Sequence, residues 1–195
     1  MTGSGIYRMS TFETPAWLGQ LKRAVSKNKR DAHSRYFQLA TRGQDDYPRV
    51  RTLVFRGFSD VGWSLFSVTD ARSDKVSELA LHSRVELSWY FTQTREQFRL
   101  RGEAAVFGAD SDPEGHRQRL WSALSEAARA QFFWPTPGAP LGDTEAPGFS
   151  QTPPETFAVI EYTPMQVDHL VLAKTQTRSL SEYVAGQWRE TPINP

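Results

Sequence analysis

Apolar residues recur along the chain with two different periods. Behind Thr14-Pro15, the residues Trp17, Leu18, Leu21 and Val25 fall three or four apart, which predicts an opening helix of about 15 residues capped by Thr14. From Tyr36 the texture changes to short runs of β-branched and aromatic residues broken by Gly, Asp and Pro. Residues 36–41, 50–58 and 63–69 read as consecutive strands, with GQDDYP and SDVG as the hairpin turns between them. Helical spacing returns in 70–83, where Val76, Leu79 and Ala80 form an apolar face behind the capping candidates Asp70 and Ser73.

Strict alternation of Val85, Leu87, Trp89 and Phe91 predicts a strand over 85–91, followed by another over 97–107. A longer helix is expected from Asp112-Pro113, carrying Leu120, Trp121, Leu124 and Ala128 on one face. Residues 135–154 hold six of the 12 prolines and three glycines, so this stretch reads as a Pro/Gly-rich loop over a site. Strands resume over 157–162 and 167–173, and 178–195 reads as a last hairpin turning at Ala185-Gly186-Gln187. These elements predict a mainly β fold, an antiparallel barrel with two to three flanking helices, because the strand spacing is too short for parallel crossovers. The 195 residues form one domain in this reading, with 1–14 as a flexible arm.

Composition narrows the function classes. A net charge of +1 gives no global reason to expect nucleic acid or an acidic membrane as partner. The charge is unevenly spread, since residues 21–56 carry ten Lys or Arg against three acids. With no cysteine there is no disulfide, thiolate metal site or cysteine nucleophile. The four histidines lie far apart without ligand-like spacing, so no metal site is expected. The chain contains no GxGxxG opening a helix, no GxxxxGK[ST], no HExxH and no GxSxG. No run approaches a membrane span and no secretory pattern opens the chain, so a cytoplasmic protein is the expectation.

Two basic clusters hold the candidate chemistry. Arg49, Arg51 and Arg56 lie in an otherwise apolar strand, where a guanidinium is costly unless an anion, a carboxylate or water meets it. Arg72, Ser73 and Lys75 lead into the short helix, and together with its N–H groups they suit a phosphate; a capped helix with charged surface residues is the plainer alternative.

In combination these segments resemble the FMN-binding split barrel of the pyridoxamine 5'-phosphate oxidase family. The matching pieces are RTLVFR (51–56), FS (66–67), RSDK (72–75) and EQFRLRGEA (96–104), with YFQLATRG (36–43), FFWPTPG (132–138), and Arg178 placed ten residues before Trp188 and seventeen before Pro195. The resemblance implies FMN phosphate against Arg51 and Lys75, with Arg72 and Ser73 nearby. It implies a flavin ring along Thr52, Leu53 and Val54, with Arg56 at its edge and Phe66 and Ser67 beneath. Gln97 matches an amide that meets the cofactor, and Arg178 an arginine brought to the flavin across a homodimer interface. The chain departs from the oxidase proper at KTQTR (174–178), where Lys174 and Gln176 replace the Arg and His that hold substrate. The expectation is therefore an FMN-dependent oxidoreductase of unidentified small-molecule substrate. The alternatives are a non-catalytic flavin or haem binder and the true oxidase.

Overall fold

The structure, a computed structural model, describes residues 14–142 and 148–195. The expected N-terminal arm lies outside these residues apart from Thr14, as does part of the Pro/Gly-rich loop. Helix α1 (Ala16–Lys27) starts one residue later than its sequence predicts: Pro15 holds the cap position in extended conformation, and its carbonyl accepts from the N–H of Leu18 at 3.0 Å. The helix buries Trp17, Leu18, Leu21 and Ala24. Each large side chain among them contributes about 1.5–3 kcal/mol of burial.

Nine antiparallel strands follow: β1 (Tyr36–Arg42), β2 (Pro48–Val54), β3 (Gly57–Phe58), β4 (Leu65–Asp70), β5 (Arg84–Phe91), β6 (Glu96–Phe107), β7 (Phe157–Val171), β8 (Thr177–Val184) and β9 (Gln187–Ile193). They pair in the order β2-β1-β5-β6-β7-β4-β3, with β8 added to β7 and β9 to β8. The strand expected over 50–58 is broken. At the break the N–H of Phe55 donates to the Arg35 carbonyl at 2.7 Å and that of Arg56 to the Phe66 carbonyl at 2.8 Å. The chain thereby crosses from the β1 side to the β4 side, and Gly57, at φ 143°, makes a turn that a side chain would strain. Since β2 and β3 are one chain segment and stand at opposite ends of the pairing order, the sheet closes into a barrel. No ladder joins β2 to β4 among the described residues, and the barrel is split there.

Inside the barrel, Phe37, Leu39, Leu87, Trp89, Phe98, Leu100, Ile160 and Tyr162 pack with the buried face of α1. A second cluster lies outside, where Phe66, Phe157 and Val159 meet Leu120, Trp121, Leu124 and Phe132. The helix expected from Asp112 proves to be two, α3 (His116–Ser122) and α4 (Glu126–Ala130). The first of them starts later than expected, with Gly115 at the cap position, while the Asp112 carboxylate reaches its first turn and accepts from the N–H groups of His116 and Arg117 at 2.8 Å. Ser125 restarts the chain as α4 by accepting from Ala128 N–H. With α2 (Asp74–Leu81) this makes four α-helices among the described residues, where two to three were expected.

Strands 157–162 and 167–173 were expected to be separate and are instead one, β7. Its first half pairs with β4 and its second with β8, while β6 runs along its other edge. Arg101 faces Gln166 but Gly102 faces Pro164, so Met165 is an extra, bulged residue. Gly102 is required at this point, because a Cβ would lie 2.1 Å from the Thr163 carbonyl oxygen.

Candidate functional site

The split between β2 and β4 opens as a cleft of about 350 Å³. Thr52, Leu53, Val54 and Arg56 form one wall and Val68, Thr69 and Asp70 the other. Ala128, Gln131, Phe132, Trp134, Pro135 and Pro137 close the third side, so the start of the Pro/Gly-rich loop does lie over this cleft. Two bonds hold the loop's ends: Arg117 of α3 donates to the Pro154 carbonyl at 2.6 Å, and Thr156 donates to the Phe132 carbonyl at 2.6 Å, tying the two flanks of the loop together.

At the Thr69 end of the cleft the two basic clusters meet. Lys75 Nζ donates to Thr69 Oγ1 at 3.0 Å and to Ser73 Oγ at 2.8 Å, and the Ser73 hydroxyl donates to the Asp70 carbonyl at 2.6 Å. Ser73 stands at the cap position of α2, as its sequence suggests, but its hydroxyl is spent on this cluster and does not cap the helix. Burial and the nearby charge of Arg51 hold the Lys75 ammonium below the usual lysine range. Lys75 thus stands near a second cation in a partly desolvated place; Asp70, Glu78 and Asp74 offset part of that charge, and a further anion there would relieve the rest.

Arg51 is anchored from behind by residues that sequence reasoning missed. Its Nη2 lies 2.6 Å from Glu78 Oε2, its Nη1 donates to Thr41 Oγ1, and the Thr41 hydroxyl donates to Glu78 Oε2 at 2.5 Å. Helix α2 buries Glu78 beside Leu79 and leaves Ala80 in solvent, a rotation of the face expected from Val76, Leu79 and Ala80. The available signal was Thr41, a polar residue continuing the inward alternation of Phe37 and Leu39 on β1.

Arg72 behaves differently from its neighbours. Its guanidinium is engaged by Asp70 at 2.6 Å and donates to the Trp134 carbonyl at 2.9 Å, joining the loop before α2 to the third side of the cleft. Arg56 is half-buried, and its Nε is shut off from solvent without a hydrogen-bond partner. Burial, and then the charge of Arg35, depress its pKa.

The remaining predicted residues stand off the cleft. Phe66 and Ser67 are fully buried behind it, Phe66 in the outer cluster and Ser67 bonded to Tyr162 Oη at 2.7 Å. Gln97 lies on β6 between Tyr90 and Leu170. Arg178, on β8, makes two bonds to Asp168 at 2.9 and 2.7 Å, and Arg99 reaches the same carboxylate at 2.5 Å. The bond to Arg178 is the main reason that Asp168 stays below the usual carboxylate range.

Residues 14–108 match the family model described as pyridoxamine 5'-phosphate oxidase, FMN-binding domain. The chain is 34% identical to pyridoxine/pyridoxamine 5'-phosphate oxidase 2 of Arabidopsis thaliana over 96% of its own length and 100% of that protein. It is 30% identical to the pyridoxine/pyridoxamine 5'-phosphate oxidase of Bradyrhizobium diazoefficiens, over 62% of this chain and 56% of that one. A solved structure, a pyridoxamine 5'-phosphate oxidase-related, FMN-binding protein of Nostoc punctiforme, superposes with a TM-score of 0.87 at 36% identity over 94% of this chain and 100% of that one. PhzG of Burkholderia lata shares the fold at a TM-score of 0.77 and 20% identity over 100% of this chain and 98% of that one. The split barrel, the paired cations at the end of its cleft and a full-length relative agree, and the chain belongs to the FMN-binding family of pyridoxamine 5'-phosphate oxidase-like proteins.

Proposed function

We propose that the chain is an FMN-dependent oxidoreductase that acts on a small molecule as a homodimer. The observation that carries this reading is the convergence of Arg51 and Lys75, with the hydroxyls of Ser73 and Thr69, at one end of the cleft. The residues present fit the cofactor. A phosphate dianion offsets two neighbouring cations, and Arg56, half-buried with a partnerless Nε, lines the same cleft as the strand 52–54.

Bound FMN supplies hydride or electron transfer. The chain's own contribution is position and charge. Arg51 and Lys75 hold the phosphate, with Ser73 beside it bracing the Lys75 ammonium, Leu53 and Val54 offer an apolar wall, and Arg56 offers a positive charge to a ring that becomes more anionic on reduction. Gln97 and Arg178 lie off this chain's own cleft, so their inherited roles require a second copy, with Arg178 presented by Asp168. Purified protein should be yellow, with the absorption bands of oxidised flavin, and should scatter light as a dimer of the 22.1 kDa chain. A colourless protein that takes up no FMN, or a flavin-bound monomer, overturns the corresponding half of the proposal.

The substrate in this reading is not a vitamin B6 phosphate, because Lys174 lacks the bidentate fork of arginine and Gln176 cannot carry an imidazolium charge. A second reading, the oxidase itself, is favoured by the full-length match to the Arabidopsis protein of that name. The FMN-loaded dimer decides between them. We expect pyridoxal 5'-phosphate and peroxide to form roughly 30- to 1000-fold more slowly than in a typical oxidase. Comparable turnover establishes the second reading.

A further inference from the structure

Glu78 sets an acid beneath the end of the cleft proposed to hold a phosphate dianion. Simple electrostatics makes this unfavourable, since a carboxylate close to phosphate repels it. Yet Glu78 is nearly as buried as the core, with 4% of its surface exposed, and a single oxygen, Oε2, receives both the Arg51 guanidinium at 2.6 Å and the Thr41 hydroxyl at 2.5 Å. Thr41 in turn accepts from the other terminal nitrogen of Arg51. The three groups form a closed triangle built from three elements, β1, β2 and α2. Across the site, Lys75, Ser73 and Thr69 form a second triangle from α2, the turn before it and β4.

An arginine side chain loses considerable rotamer freedom when it is fixed, and that cost falls on ligand binding unless the fold has already met it. Two terminal nitrogens of Arg51 are fixed from behind, by groups that cannot themselves leave the interior. Its remaining N–H donors keep a constant direction. Resting on the reading of Arg51 as a phosphate ligand, we propose that Glu78, with Thr41, is a positioning residue that orients Arg51 for the FMN phosphate. Its orienting effect outweighs its repulsion of that phosphate. Beside Asp70 and Asp74, the acid also supplies counter-charge to the two cations of the ligand-free site.

The test compares two flavins that differ only by the phosphate. Dissociation constants of FMN and riboflavin are measured by flavin fluorescence for the full chain and its Glu78→Ala, Glu78→Gln and Thr41→Val variants. The wild type should bind FMN much more tightly than riboflavin. Glu78→Ala should weaken FMN by tenfold or more and riboflavin by less than twofold. Glu78→Gln, which keeps an acceptor oxygen for Arg51, should fall between the two. In an Arg51→Ala background, Glu78→Ala should cause no further loss of FMN. Tighter FMN binding by Glu78→Ala overturns the proposal, because Glu78 is then only a repelling charge. Equal weakening of both flavins overturns it too, as does full additivity with Arg51→Ala. Thr41→Val leaves the carboxylate in place and removes one corner of the triangle. It should cost FMN alone about threefold, and it decides the question if Glu78→Ala does not fold, an unchanged FMN affinity then overturning the proposal. A wild type without preference for FMN over riboflavin overturns the phosphate assignment itself, a result separable from the others.

Discussion

Arg51 and Arg72 are both arginines beside one cleft, and both belong to motifs that resemble a phosphate site, yet the fold uses them in opposite ways. Arg51 is set on a strand, is largely withdrawn from solvent, and is fixed by a buried acid and a threonine. Arg72 sits on an exposed turn, is neutralised by Asp70 two residues away, and holds the carbonyl of Trp134. Charge alone does not make a phosphate ligand. What separates them is whether donors remain that are oriented, unspent and shielded from water.

This difference predicts a graded set of outcomes. Arg51→Ala should weaken FMN by about tenfold or more, because a charge-assisted bond to phosphate contributes about 1.5–3 kcal/mol, and should leave riboflavin almost unchanged. Titration of the two flavins checks this, and an equal loss for both would place Arg51 elsewhere. Lys75→Met should cost FMN less, about three- to tenfold, since removing the lysine also removes the cost of holding it beside Arg51. Arg72→Ala should change FMN affinity by less than about threefold, and riboflavin equally, because an exposed pair contributes under about 1 kcal/mol. Its visible effect should be faster proteolysis within 135–154, where the Trp134 carbonyl has lost its donor.

Lys75 also predicts a pH dependence with a definite sign. Its folded pKa lies below the ordinary 10.5, so the cost of keeping it charged is fully present below the folded value and is relieved as pH rises towards 10.5. Phosphate needs the charged form. Affinity for FMN should therefore fall as pH rises through the depressed value, at a pH where an ordinary lysine still holds its proton. The fall should flatten in Lys75→Met. Titrations between neutral and alkaline pH measure it, and an unchanged profile in the variant would remove Lys75 from the phosphate site.

The sequence was most legible where one face of an element is buried and the other is wet. The alternation of β5 specifies that strand to within one residue, and the apolar stripe of α1 specifies the helix and its start, although it ends after 12 residues where about 15 were expected. It was least legible where a local rule yields to a distant partner. Residues 157–162 and 167–173 read as two strands, but β7 runs through Pro164, whose missing N–H falls beside the Met165 bulge where the ladder is already interrupted. Residues 50–58 read as one strand because nothing local announces that the Arg35 and Phe66 carbonyls will draw the chain across the barrel. Glu78 escaped notice because helical periodicity treats a carboxylate as a solvent residue. Its partner Arg51 is 27 positions away in sequence. That the strand carrying Arg51 and the turn carrying Ser73 and Lys75 come together was readable from their pattern, whereas the Glu78 and Thr41 contacts to Arg51 were not.

The bulge at Met165 sets a phase. Before it, the even-numbered residues Ile160 and Tyr162 fill the barrel interior; after it, the odd-numbered Val167 does so. One uncounted residue thus inverts the parity of everything downstream. With the inverted phase Asp168 stands on the same face as Arg99 and Arg178, while His169 turns the other way to stack on Phe98, with Gln20 of α1 and Glu96 as its partners. Deleting Met165 would exchange the two faces and point Asp168 at the core. A chain of this length therefore carries, in a single exposed methionine, the offset that decides which side of its longest strand meets the interior and which side carries Arg178 outward.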